Sequence, residues 1–177
     1  MVGFVSGSTL VLVDLQAALM PAIEESAAVI ARCKLLAEAA RLLEIPVLGT
    51  EQNPSGLGAT VPAIAPLLDK VFAKLSFDAT ADSDLVPALG SARRSVVIAG
   101  CEAHVCLMQT ALGLRRLGFA VSAVADAVGS RRAGDKAVAL DRLASAGVEI
   151  VTAEMAIFEW LARSDHPRFK EILELLR

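Results

Sequence analysis

Residues 95–118 constrain the fold more than any other stretch. They open on Val96-Val-Ile98, an apolar β-branched run too short for a helix and bounded by Gly100, which reads as a buried strand. From Val105 the apolar residues return at helical spacing through Met108, Ala111, Leu112 and Leu114. Arg115 and Arg116 fall in the last turn and Gly118 stands as the stop. A strand therefore runs through a short turn into a helix, and Cys106 falls in that helix's first turn. A thiol there faces the positive end of the helix dipole and N–H groups without an intrahelical partner. Such a setting lowers a cysteine pKa and offers donors to a developing oxyanion. Cys106 is the candidate nucleophile.

The same alternation runs along the chain. Residues 9–15 read as a first strand, followed by a helix over 26–44, a second strand over 45–50 and a Gly/Pro/Asn/Ser-rich loop over 51–60. Residues 70–74 form a third strand, 82–89 a brief helix, 120–125 a fifth strand, 134–146 a helix and 148–152 a sixth strand. Helices over 154–162 and 167–176 follow. The expectation is an α/β fold, a six-stranded, mostly parallel sheet between two helical layers. At 177 residues this is read as one domain, 1–177.

In such sheets ligands bind beyond the carboxyl ends of the strands, near the switch in strand order. Asp14, Thr50, Lys74, Gly100 and Asp126 all sit at or just past those ends. Asp14 is placed to accept the Cys106 proton and return it to a leaving group, and Lys74 to favour both anions. Because both sit at the sheet edge, exchanging either is expected to cost activity while leaving the fold intact. Asp126 is the rival carboxylate, expected instead to bond backbone amides or pair with Arg131.

Other chemistries find little support. Cys101, His104 and Cys106 lack a standard zinc spacing, and the other histidine, His166, lies far along the chain, so no metal is expected. There is no G-x-G-x-x-G or P-loop, so no cofactor is expected. Cys101 and Cys106 could pair as a redox couple, though a strand end and a helix start need not bring them within bonding distance. Three cysteines without C-x-x-C point to a reducing cytoplasm, with Cys33 a core thiol on the stripe Val29, Cys33, Leu36, Ala40, Leu43. A net charge of −3 gives no footprint for nucleic acid or an anionic membrane. No apolar run is long enough to span a membrane, and the start lacks the features of a secretory leader. Hydrophobic residues nonetheless make up 55% of the chain. That excess is expected between subunits of a homo-oligomer, with the helices from Val105 and Glu154, Phe158 and Trp160 contributing.

Several segments resemble the isochorismatase-like cysteine hydrolases. These are Asp14-Leu-Gln16, Lys74 with Ser76-Phe77, Gly100-Cys-Glu-Ala-His-Val-Cys106 with Gln109-Thr-Ala111, and Asp126-Ala-Val-Gly-Ser-Arg131, in order over nearly the whole chain. Thr50-Glu-Gln-Asn-Pro-Ser-Gly-Leu-Gly-Ala-Thr60 and His166-Pro-Arg-Phe-Lys170 resemble, more narrowly, the isochorismatase-domain-containing proteins. The resemblance implies a three-layer α/β/α, Rossmann-like sandwich and a triad mapping onto Asp14, Lys74 and Cys106. It also implies a non-proline cis peptide at Cys101–Glu102, with the N–H groups of Glu102 and Cys106 forming an oxyanion hole. Two departures matter. Nicotinamidases of this family carry an Asp and histidines for a metal after the second strand, and residues 51–60 contain no histidine. Isochorismatases proper cleave a vinyl ether without a cysteine nucleophile at the position of Cys106.

The resulting expectation is a cytoplasmic, cofactor-free cysteine hydrolase of a small molecule, cleaving an amide or similar C–N bond through a Cys106 thioester. The alternatives are an isochorismatase-type ether or ester hydrolase, or a catalytically idle binding or scaffolding protein. Specificity is expected in residues 16–25, 51–60 and 75–82 and at a neighbouring subunit. Gln16, Glu51, Phe77 and His104 are the substrate-binding candidates.

Overall fold

Apolar β-branched segments flanked by helices on both sides pair best as a parallel sheet covered on both faces, and that is the arrangement found. The structure is a computed structural model and describes residues 7–90 and 95–177. The start of the chain, read above for a leader at residues 1–6, lies outside them. The strands are β1 Ser8–Val13, β2 Val47–Gln52, β3 Lys70–Lys74, β4 Ser95–Cys101, β5 Ala120–Gly129 and β6 Glu149–Val151. All five pairings are parallel, in the order β3-β2-β1-β4-β5-β6. The chain starts at the centre, winds outward to β3, then returns to β4 and winds to the other edge. Strand order therefore reverses between β1 and β4, which is where such a sheet opens a crevice.

The helices are α1 Ser26–Leu42, α2 Pro54–Leu57, α3 Ala79–Asp82, α4 Leu85–Leu89, α5 Met108–Arg116, α6 Ala133–Ser145, α7 Ala153–Leu161 and α8 Phe169–Leu175. Side chains alternate across a strand, so β1 feeds two cores. Leu10 and Leu12 pack with α1, α7 and α8, whereas Val11 and Val13 pack with α3, α4, α5 and α6. On α1 the stripe Val29, Cys33, Leu36, Ala37 and Ala40 is buried against the first face. Helix α5 ends as its Gly118 predicts: Gly118 adopts φ 83°, and Phe119 N donates to Leu114 O at 3.1 Å.

The differences from the sequence expectations lie mostly at the polar ends of elements. β2 runs to Gln52 rather than stopping at Thr50, and β5 runs to Gly129, so Asp126 lies within the strand rather than past it. The expected helix over 82–89 is two short helices, the first capped by Asp78, whose carboxylate accepts from Thr80 N at 2.9 Å. Between β4 and α5, residues Ala103–Leu107 form a π turn, so α5 itself begins at Met108. Trp160 is buried in the core rather than surface-facing, while Phe158 and Met155 on α7 are exposed.

One close approach marks the reversal between β1 and β4. Gly100 adopts φ 111°, and a Cβ built on it would lie 2.2 Å from Val13 O, so only glycine lets β4 lie against β1 there.

Candidate active site

Three strand ends supply the site. β1 ends at Val13, and Asp14 turns out of it with φ 48°, a left-handed conformation that aspartate tolerates better than most residues. Its N–H still donates to Thr50 O at 3.1 Å, which ties the turn to β2. Asp14 is fully buried. Its Oδ1 accepts from Thr50 Oγ1 at 2.7 Å, and its Oδ2 accepts from Lys74 Nζ at 2.8 Å. Both side chains of this ion pair are sealed from solvent.

Lys74 ends β3, directly beside Gln52, its register partner on β2. Register partners in a parallel pair project to the same face, and the two side chains meet: Lys74 Nζ donates to Gln52 Oε1 at 2.7 Å. The Cys106 thiol donates to the same oxygen at 3.7 Å, and the charges of Asp14 and Lys74 both act on it. The structure therefore gathers Asp14, Lys74 and Cys106 at one point.

The thiol's acidity does not follow the sequence expectation. Burial pushes the Cys106 pKa up to about 12, the Asp14 carboxylate adds to the rise, and the Lys74 ammonium opposes it only in part. Residue 106 sits in the π turn ahead of α5, is 7% exposed, and is governed by desolvation rather than by the helix end. Cys101 and Cys33 belong to the other core, across the sheet from Cys106, so Cys101 and Cys106 form no redox couple; all three cysteines are free. Cys33 is fully buried, its Sγ 3.2 Å from Ala127 O, as a core thiol should be.

The Cys101–Glu102 peptide is cis, as the resemblance implies. The Glu102 carbonyl accepts from Val105 N at 3.0 Å and Leu107 N at 3.2 Å, closing the π turn that carries Cys106. Its carboxylate, largely buried, accepts from Arg131 N at 3.1 Å and Arg131 Nε at 3.0 Å and so pins the end of β5 to this turn. Arg131 is thereby spent on Glu102. Asp126 instead accepts from Ala153 N at 2.8 Å, at the start of α7, and lies 3.6 Å from Arg32. It bonds a backbone amide, as one of the two sequence expectations had it, but does not pair with Arg131.

Of the four substrate-binding candidates, three are engaged elsewhere. Gln16 is fully buried, with Nε2 donating to Gln52 O at 3.0 Å and Gly58 O at 2.7 Å while Oε1 accepts from Gln52 N at 2.8 Å. Both its amide hydrogens are used, and it braces the 51–60 segment. Glu51 points to the opposite face of β2 from Gln52, and its Oε1 accepts from Thr60 N at 2.7 Å and Thr60 Oγ1 at 2.8 Å. His104 Nδ1 lies 2.9 Å from Ser130 Oγ and its Nε2 3.9 Å from Asp135. Phe77 remains half exposed, in a loop whose backbone is held by Asp82 and by Thr110 of α5. Gln52 is the residue that sequence reasoning missed. The available signal was its place two residues beyond Thr50, on the same face of an extended strand.

Among the described residues no three His, Cys, Asp or Glu side chains assemble in a manner that could hold a metal ion, and no helix is long and apolar enough to cross a membrane.

Comparison with known proteins matches this arrangement to relatives. The family model described as Isochorismatase domain covers residues 8–155. Isochorismatase domain-containing protein 1 of Danio rerio is 42% identical over 170 residues, which are 93% of this chain and 59% of that protein. This chain thus spans well under two thirds of that relative's length. Isochorismatase domain-containing protein 2 of the same species is 38% identical over 172 residues, 96% of this chain and 87% of that one. Among solved structures, one described as the MAR1 ribonuclease of Caenorhabditis elegans is 35% identical with a TM-score of 0.91, over 96% of this chain and 89% of that one. With a strand order that reverses between β1 and β4 and these matches over most of its length, the chain belongs to the isochorismatase family.

Proposed function

We propose that this protein is a cysteine hydrolase that cleaves a small carboxamide, or a similar C–N bond, through a thioester on Cys106. Family membership supports a hydrolase. The observation that carries the finer reading is the solvent-free Asp14–Lys74 pair, whose ammonium shares the Gln52 Oε1 acceptor with the Cys106 thiol.

In this reading Cys106 Sγ attacks the carbonyl carbon while its proton passes to Asp14, and the carbonyl electrons move onto oxygen. The proposed donors to that oxyanion are the N–H groups of Glu102 and Cys106. Collapse breaks the C–N bond, Asp14 returns the proton to the departing nitrogen, and water hydrolyses the thioester to the acid and free thiol. Lys74 holds Asp14 in place through its 2.8 Å hydrogen bond. A thiol with a pKa pushed up to about 12 suits a nucleophile deprotonated as it attacks, rather than one standing as thiolate. Phe77 is retained as a substrate contact, and Gln16, Glu51 and His104 are assigned to bracing. Exposed Met155 and Phe158 on α7 support a homo-oligomer.

The test is turnover of a panel of small carboxamides and of a metabolite extract, read by mass spectrometry together with the intact mass of quenched enzyme. The expected result is conversion of an amide to its acid, with an acyl adduct on Cys106 and no turnover by Cys106→Ala. Turnover that survives Cys106→Ala would remove the thioester route, and a panel left wholly untouched would favour an idle binding protein. RNA belongs in the panel because the Caenorhabditis elegans relative is described as a ribonuclease. The net charge of −3 supplies little attraction for a phosphate backbone.

A further inference from the structure

Gln52 is held in one orientation by what surrounds it. Its backbone N–H and C=O are both clamped by the buried Gln16 side chain, at 2.8 and 3.0 Å. Its Nε2 donates to Leu75 O at 2.7 Å, and its Oε1 accepts from Lys74 Nζ at 2.7 Å. A carbonyl only accepts and an ammonium only donates, so the carboxamide cannot be turned over without losing both bonds. That leaves its oxygen shared between Lys74 and the Cys106 thiol, 3.7 Å away.

We infer that Gln52 is a positioning residue for the nucleophile: its carboxamide oxygen seats the Lys74 ammonium beside Sγ and receives the resting thiol proton. The inference rests on the reading of Cys106 as nucleophile. Asp14 already accepts from Thr50 and Lys74. A second acceptor on Lys74 therefore stops the ammonium from collapsing wholly onto Asp14, and keeps positive charge next to the sulfur as the thiolate forms. The oxygen is neutral, so it does this without adding a second negative charge that would oppose ionisation.

Two variants separate this role from simple bracing of the loop. Gln52→Glu keeps an oxygen on Lys74 but places a negative charge against the sulfur, whereas Gln52→Met keeps the side-chain length with only a weakly accepting thioether in place of the carboxamide oxygen. The readout is the rate of iodoacetamide alkylation of Cys106, mapped by mass spectrometry across pH 6–10. That rate follows the thiolate fraction, so a pKa change displaces the log-rate profile along the pH axis even below its midpoint. Gln52→Glu is expected to displace it upward by about one unit or more, a tenfold or greater slowing at pH 8. Gln52→Met is expected to slow alkylation several-fold, while thermal unfolding shows both proteins folded. Should the Glu variant fail to fold, the Met variant carries the test. Folded variants whose profiles superimpose on the wild type would overturn the assignment and leave Gln52 as a loop tether. A wild-type Cys106 alkylated no faster than Cys33 or Cys101 would take the nucleophile reading down with it.

Discussion

Asp14 and Lys74 face each other at 2.8 Å with both side chains fully closed to solvent, although each lies at the end of its strand. The sheet edge at this point is therefore interior, and the expectation that these residues can be exchanged without harm to the fold does not hold. Lys74→Ala leaves the Asp14 carboxylate buried without its counter-ion, with Thr50 Oγ1 still donating to it, a change that costs about 3–5 kcal/mol. Asp14→Asn leaves the Lys74 ammonium buried without a counter-ion, but it keeps the shape, an amide oxygen beside the ammonium and the Gln52 Oε1 bond, so it should cost less. Urea denaturation of the two variants beside the wild type checks the order, and turnover should fall in both.

The buried thiols predict an alkaline weakness. Burial pushes Cys101 and Cys106 up to about 12 and Cys33 well above the ordinary value of 9.0. The folded protein therefore holds thiol protons that the unfolded chain releases. Their contribution is whole below pH 9 and drains away as pH rises toward the folded values, at up to about 1.4 kcal/mol per pH unit for each thiol. The chain contains no tyrosine to confuse the effect. Urea midpoints should be level from pH 6 to 8 and fall from about pH 9 upward, and Cys101→Ala should show a shallower fall.

Asp126 separates stability from catalysis. It accepts from Ala153 N at the start of α7 and lies against Arg32, neither of them a partner of the thiol. Asp126→Ala should lower stability by about 1 kcal/mol, typical of a lost helix cap, while alkylation of Cys106 and turnover stay at wild-type values. A loss of turnover with stability preserved would return Asp126 to the role of base.

Elemental analysis of purified protein should find no stoichiometric zinc, iron or manganese, and chelator treatment should leave activity unchanged. Residues 51–60 offer no histidine, and the His104 ring nitrogens lie against Ser130 and Asp135.

Light scattering at micromolar concentration should return a multiple of 18.5 kDa. Replacing Met155 and Phe158 together by Gln should shift the protein toward a smaller species, because both are exposed apolar side chains on one face of α7.

The six strands and the meeting of Asp14, Lys74 and Cys106 were legible because buried parallel strands announce themselves as β-branched runs and their ends fall where such runs stop. Legibility failed where polar residues continue an extended backbone beyond the core. Glu51 and Gln52 looked like the opening of a loop, so the same-face pairing of Gln52 with Lys74 was lost, and Glu51 took its place as a candidate. Asp126 follows the apolar run of β5, yet the strand continues through it to Gly129. The acidity of Cys106 was misjudged for another reason: position at a helix start can be read from sequence, whereas the depth of burial and the distance to Asp14 cannot.

Gly100 has a consequence for how this site can vary. Any side chain there would meet the Val13 carbonyl at 2.2 Å, so it would wedge the two central strands apart just where Asp14 leaves one and the nucleophile turn leaves the other. The missing methyl group acts as a spacer of zero thickness. It fixes the gauge between Asp14 and the turn that carries Cys106 independently of the polar contacts around them, so that one position cannot be widened.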